Sequence, residues 1–170
     1  MTEFQSEVAE WRDLFTLAGA AAATIIGLLF VAITLRTDVR KAGQSSLAQA
    51  VVSHNFLMLL VVLLNSLYFM VPDLTPDSLG WSILLTALIP AIIFVRDLVR
   101  LRHDPAMDRL TLMWSFLIPI GCLLITMGIG ASLLMNDDAE TGWFVTIVAM
   151  FLTIPTKNSW DLLLQSSESS

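Results

Sequence analysis

The sequence predicts an all-α membrane protein, a bundle of five transmembrane helices with its N-terminus outside and its C-terminus inside. Three observations lead there. The chain of 170 residues is 56 % hydrophobic and only 14 % charged, with a mean hydropathy of +0.76, whereas a soluble domain carries about 25 % charged residues. Residues 14–35, 42–72, 78–95, 110–136 and 141–156 hold no Asp, Glu, Lys or Arg, and a helix crosses the hydrocarbon core in roughly 20 residues. The basic residues then gather in alternate connections, as Lys and Arg do on the cytoplasmic side. A single transmembrane domain, 1–170, is expected, with spans near 14–35, 48–71, 79–98, 110–135 and 142–163 and a disordered tail at 165–170.

The acidic start, MTEFQSEVAEWRDLF, lacks the basic opening of a secretory signal, so span 1 is expected to persist in the mature protein. Span 1 places Gly19, Ala23 and Gly27 at intervals of four, a small-residue stripe along which a second helix can approach closely. That helix could belong to the same subunit or to another one. Arg36, Arg40 and Lys41 follow it and mark the inner side.

Span 2, VVSHNFLMLLVVLLNSLYFM, is apolar yet holds His54, Asn55, Asn65 and Ser66. His54 and Asn65 are eleven residues apart, close to three helical turns and about 16 Å along the axis. Tyr68 falls on that side, and Asn55 with Ser66 repeats the interval on an adjoining stripe. Polar side chains cost free energy in hydrocarbon unless partnered, so this face must meet protein or water. Interhelical hydrogen bonding is one use. A polar lining, with an imidazole able to titrate near neutral pH, is another.

The next connection carries only Asp73 and Asp77, which places it outside. Span 3 runs into Arg96, Arg100 and Arg102, with Asp97 moderating the charge, and Arg109 opens span 4. Arg96 and Arg100 are therefore read as topology determinants in contact with headgroups. Span 4 repeats the small-residue theme with Gly121, Gly128 and Ser132, and its lone Cys122 reads as a small packing residue. Asp137, Asp138 and Glu140 mark the following connection as outer. In span 5, Trp143 and Trp160 lie 17 residues apart, about 25 Å of helix, with an indole at each interface. Its end, IPTKNSWDLLLQ, has two readings. Either the helix runs through Pro155, with Lys157 snorkelling to the interface, or it breaks and restarts at Asn158 with Asp161 three residues on. Pro90, Pro119 and Pro155 interrupt spans 3, 4 and 5, and each frees a carbonyl one turn earlier.

With this topology eight of the nine basic residues lie inside, Arg12 being the exception. Catalysis finds no foothold: HExxH, GxSxG, a Gly-rich phosphate loop and a cysteine pair are all missing from the sequence. No cofactor or metal is expected, since His54 and His103 lack further ligands at motif spacing.

The stretches AGAAAATIIGLLFVAITLR, NSLYFMVPD and NSWDLLLQ resemble an uncharacterised family of small bacterial five-helix membrane proteins, with a GLLFVA-like first helix and an N-A-W-x-L-L-like C-terminus. Gly27, Asn158 and Trp160 match its recurrent positions. Ser159 stands where the family has Ala, and Asp161 where it is usually apolar. The resemblance implies a multi-pass protein of the bacterial inner membrane, and some members are described as modulators of the membrane-anchored AAA+ protease. Two functions are expected to compete. One is a homo-oligomer forming a pore for ions or small solutes along the face of His54 and Asn65. The other is an accessory protein that binds another membrane protein through the small faces of spans 1 and 4. Membrane lipids, further copies of the chain or a membrane-protein partner are the expected contacts; nothing points to nucleic acid.

Overall fold

A computed structural model describes residues 3–35, 46–72, 74–102, 109–135 and 143–167. They form five helical rods. Helix α1 is Glu3–Leu35, α2 Ser46–Phe69 and α3 Pro76–Leu101. Helix α4 is continuous from Arg109–Leu112 through a π-helical turn, Met113–Leu117, into Ile118–Met135, and α5 is Trp143–Ser167. Four of these are long and apolar enough to cross a membrane, over Val8–Val31, Gln49–Phe69, Pro76–Leu101 and Met113–Met135. The chain is thus an all-helical, multi-pass membrane protein.

Helix α1 begins eleven residues before the expected span, so the acidic N-terminal segment is helical rather than a separate lead-in. Helix α5 runs unbroken through Pro155 to Ser167. Residues 165–167 are therefore helical, where the sequence suggests tail, and Asn158 is an interior residue rather than an N-cap. Helix α3 starts where Thr75 accepts from the Ser78 amide and Ser78 Oγ accepts from the Thr75 amide. Pro76 at the first helical position needs no donor there.

Neighbouring helices run antiparallel. Gly19 and Phe15 of α1 meet Ser66 and Phe69 of α2, the two phenyl rings stacking at 3.8 Å, while Phe30 meets Phe56 near the opposite end. Between α2 and α3, His54 pairs with Asp97 and, eleven residues along one helix and eleven back along the other, Asn65 meets Thr86. Helices α3 and α4 cross at Gly80 and Gly130. A Cβ on Gly80 would stand 2.9 Å from the Gly130 carbonyl, and one on Gly130 would stand 3.0 Å from that of Gly80.

The central rod is α2, which packs against α1, α3 and α5. Of its apolar window 56 % is buried, against 22, 33 and 39 % for those of α1, α3 and α4. The surface is inverted relative to a soluble protein, with Leu17, Leu28, Ile89, Val99 and Met135 exposed and His54, Asn55, Asn65, Asp97 and Asn158 inside. Hydroxyls along the rods turn back on their own helix, as Thr24 does on Ala20 and Thr156 on Leu152. That arrangement satisfies these hydroxyl donors in an apolar medium.

Candidate polar site at the basic end of the bundle

The polar residues of α2 are the ones a central helix can hold, because partners surround it. His54 is 1 % exposed. Its Nε2 lies 3.2 Å from Asp97 Oδ2 on α3, and its Nδ1 lies a long 3.4 Å from the Ser115 carbonyl on α4. Phe94 stacks on the ring at 3.7 Å and Phe116 meets it edge-on at 5.0 Å. Arg96 reaches back over the helix surface and donates to Asp97 Oδ1 from both Nε and Nη2, each at 3.1 Å. The Arg96 side chain is 68 % exposed, whereas that of Asp97 is 12 % exposed. A guanidinium at the surface is thus joined through a carboxylate to an imidazole in the core.

The Ser115 carbonyl is available for a local reason. Its α-helical donor would be the amide of residue 119, which is Pro119 and has none. The chain widens here into the π-turn, in which the Ile118 amide bonds to Met113 rather than to Trp114. His54 therefore faces a carbonyl that has lost its i+4 donor.

One residue further on, Asn55 turns to α5, where Asn158 Nδ2 donates to its Oδ1 at 3.0 Å across 103 residues of chain. Lys157 beside it lies 5.4 Å from the centre of the Trp114 ring, a cation–π distance. These contacts tie α2, α3, α4 and α5 together at one end of the bundle. Among the described residues, this end carries Arg96, Arg100, Arg102, Arg109 and Lys157.

His54 and Asn65 both meet protein. Asn65 donates to its own Val61 carbonyl at 2.9 Å and lies 3.4 Å from the Thr86 hydroxyl. It borders a cavity of about 10 Å³ among Phe15, Val62, Thr126 and Phe151, which is room for one water rather than a column. Tyr68 does not join this face; it is 37 % exposed. Asn55 and Ser66 do not share a partner, since Asn55 faces α5 and Ser66 faces Gly19 of α1. Ser66 Oγ is buried without a hydrogen-bond partner.

The small residues divide. Gly19 is used within the chain, where Ser66 Cβ would stand 2.8 Å from an added Cβ. Gly27, Gly121 and Gly128 have nothing within 4 Å of that position, and Ala23 is exposed. The intimate crossing is made instead by Gly80 and Gly130, which lie off the stripes read from the sequence. Their signal was one glycine near the start of span 3 and one near the end of span 4, at matching depth. Arg100 is exposed on α3. Trp160 and Asp161 lie in α5, with side chains outside the described residues.

Asp97 is the residue that sequence reasoning undervalued. It reads as a counter-charge to neighbouring arginines, yet its carboxylate turns inward to His54. The available signal was an acidic residue set between Arg96 and the apolar pair Leu98–Val99, at the end of an otherwise apolar span. Chemically the cluster can hold and exchange a proton. Phe94 covers one face of the imidazole and Phe116 meets the ring edge-on. Among the described residues no three His, Cys, Asp or Glu side chains gather closely enough to hold a metal ion. No protein-family model, no curated protein and no solved structure matches the chain.

Proposed function

We propose that the protein is a non-catalytic accessory protein that binds another integral membrane protein, in a five-span form with the N-terminus outside, the C-terminus inside, and residence in the bacterial inner membrane. The observation that carries this reading is the pairing of closed polar contacts with open small ones. His54, Asn55, Asn65 and Asn158 have partners inside the chain. Gly27, Gly121 and Gly128 stand in open space on α1 and α4. Small residues on a lipid-facing surface allow backbones to approach, and helices associate in a bilayer by such packing. Self-association through the same faces accompanies the reading. The fifth span is α5, whose apolar stretch ends at Lys157 among interfacial groups.

Conduction along the His54 face receives no such support, because the residues meant to line a pathway are occupied by one another. The test uses a photocrosslinking residue at position 128 in native membranes. A discrete adduct with one heterologous membrane protein, lost in Gly27→Leu, is expected. Uniform lipid adducts alone, or adducts only with a second copy of the chain, would overturn the accessory reading. Liposomes carrying the purified protein are expected to stay tight to ions under pH and salt gradients. A flux that disappears in His54→Ala would restore the pore.

A further inference from the structure

His54 contacts two acceptors, and that sets a proton count. A neutral imidazole has one donor nitrogen and one acceptor nitrogen. The Ser115 carbonyl can only accept, and so can an ionised Asp97. Both contacts are hydrogen bonds only if one more proton sits between Nε2 and Oδ2, whether described as imidazolium with carboxylate or as imidazole with carboxylic acid. The neutral ring with an ionised Asp97 keeps one contact and loses the other.

We propose that the His54–Asp97 pair is a proton-binding site that clamps the π-turn of α4 to the central helix, engaged when the extra proton is bound and released from Ser115 when it leaves. On release, Nε2–H stays with the carboxylate, where the bond is charge-assisted, and Nδ1 presents a lone pair to the carbonyl. The carbonyl cannot fall back on its i+4 amide, because residue 119 is proline. The longer of the two distances, 3.4 Å against 3.2 Å, is the one on this weaker side. π-turns are rare and occur frequently at functional sites. The proton's loss is therefore felt at the π-turn Met113–Leu117.

Among the described residues the surroundings are sparse in other charge. From α3 come Asp97, Arg96 and the exposed Arg100. From α4 come the Ser115 carbonyl and the exposed Arg109, and from α5 Lys157, which lies over Trp114. Helix α1 brings no charged residue between positions 14 and 35. Arg96 keeps a positive charge beside Asp97 in both states, and its exposed guanidinium marks the side from which a proton can arrive.

The test is imidazole nitrogen NMR on the protein in lipid nanodiscs, with His103→Gln leaving His54 as the single histidine. Alongside it, amide hydrogen exchange across residues 113–120 is followed with pH. Below the transition both ring nitrogens should read as hydrogen-bonded donors, or Nδ1 as donor with Nε2 sharing its proton. Above it the ring should read as the Nε2–H form. The protection factor in the π-turn, which is exchange corrected for its intrinsic rise with pH, should fall roughly tenfold across the same transition, the change expected for one net hydrogen bond.

Two variants separate the clamp from general loosening. In Asp97→Asn the side-chain amide donates to Nε2 without an added proton while its oxygen still serves Arg96, so the exchange step should vanish and the turn stay protected. In Pro119→Ala the restored amide serves Ser115, so His54 should still titrate but the turn should no longer respond. A ring that stays in one neutral form from pH 5 to 9 would overturn the proposal. So would an exchange step that persists unchanged in Asp97→Asn.

Discussion

Asp97 sits next to a residue that faces solvent, and the two point opposite ways. This adjacency lets one carboxylate hold a surface guanidinium and a core imidazole together. Removing one partner of such a buried set leaves the other unsatisfied, at a cost of about 1–3 kcal/mol. His54→Ala should therefore lower unfolding stability in detergent by that order, as read by chemical or thermal unfolding. The Asn55–Asn158 contact is expected to be milder. Interhelical hydrogen bonds in membrane proteins contribute about 0.6–2 kcal/mol, and a double-mutant cycle of Asn55→Ala and Asn158→Ala should return a coupling in that range. A coupling indistinguishable from zero would mean the two amides bond elsewhere in the membrane. The presence of buried polar residues on α2 was legible in the sequence, because hydrocarbon offers no other shelter for them. Their partners were not. Asp97 lies 43 residues from His54 and Asn158 lies 103 from Asn55, and pairing at that distance depends on helix register, which periodicity within one helix does not contain.

At the scale of the helix, the contrast lies between glycines that touch a neighbouring backbone and glycines that touch nothing. Gly80→Ala or Gly130→Ala would drive a methyl into the facing carbonyl at about 3 Å, forcing α3 and α4 apart. Overpacking of that kind costs about 1–3 kcal/mol. Gly27→Ala, Gly121→Ala and Gly128→Ala should each stay within about 0.5 kcal/mol, since an added Cβ meets open space. The same unfolding assay ranks the five. The limits of two apolar runs were legible in the charges that bracket them, 79–98 lying within Pro76–Leu101 and 110–135 within Arg109–Met135. The passage through Pro155 was not, because whether a proline ends a helix depends on neighbours that satisfy the freed carbonyl.

For the whole molecule, a bundle whose basic end is also its polar-cluster end has a testable orientation. In a Cys122→Ala background, Arg40→Cys should be shielded from a membrane-impermeant maleimide in intact spheroplasts, and Asp138→Cys should be labelled. The reverse pattern would invert the topology. The residues that decide the matter, Arg36, Arg40, Lys41 and the acidic 137–140 segment, lie outside the described residues, so this part of the reading still rests on charge counting. The fold class was legible from composition because a chain with so few charges cannot cover apolar helices in water. The order of packing around α2 was not, since every span is about equally greasy and only contact between helices shows which one stands in the middle.

Pro119 and His54 lie on different helices, yet they answer one another: the first strips a carbonyl of its donor and the second supplies one. Neither substitution is neutral while the other stays. Lineages of this protein should therefore exchange the two positions jointly. A relative with an ordinary amide-bearing residue at 119 should be released from any need for a donor at 54, and Asp97 would then lose the partner that holds it inside. An inherited dependence of that kind would appear as a triplet of correlated changes at 54, 97 and 119, spread over three helices and invisible to any comparison made one helix at a time.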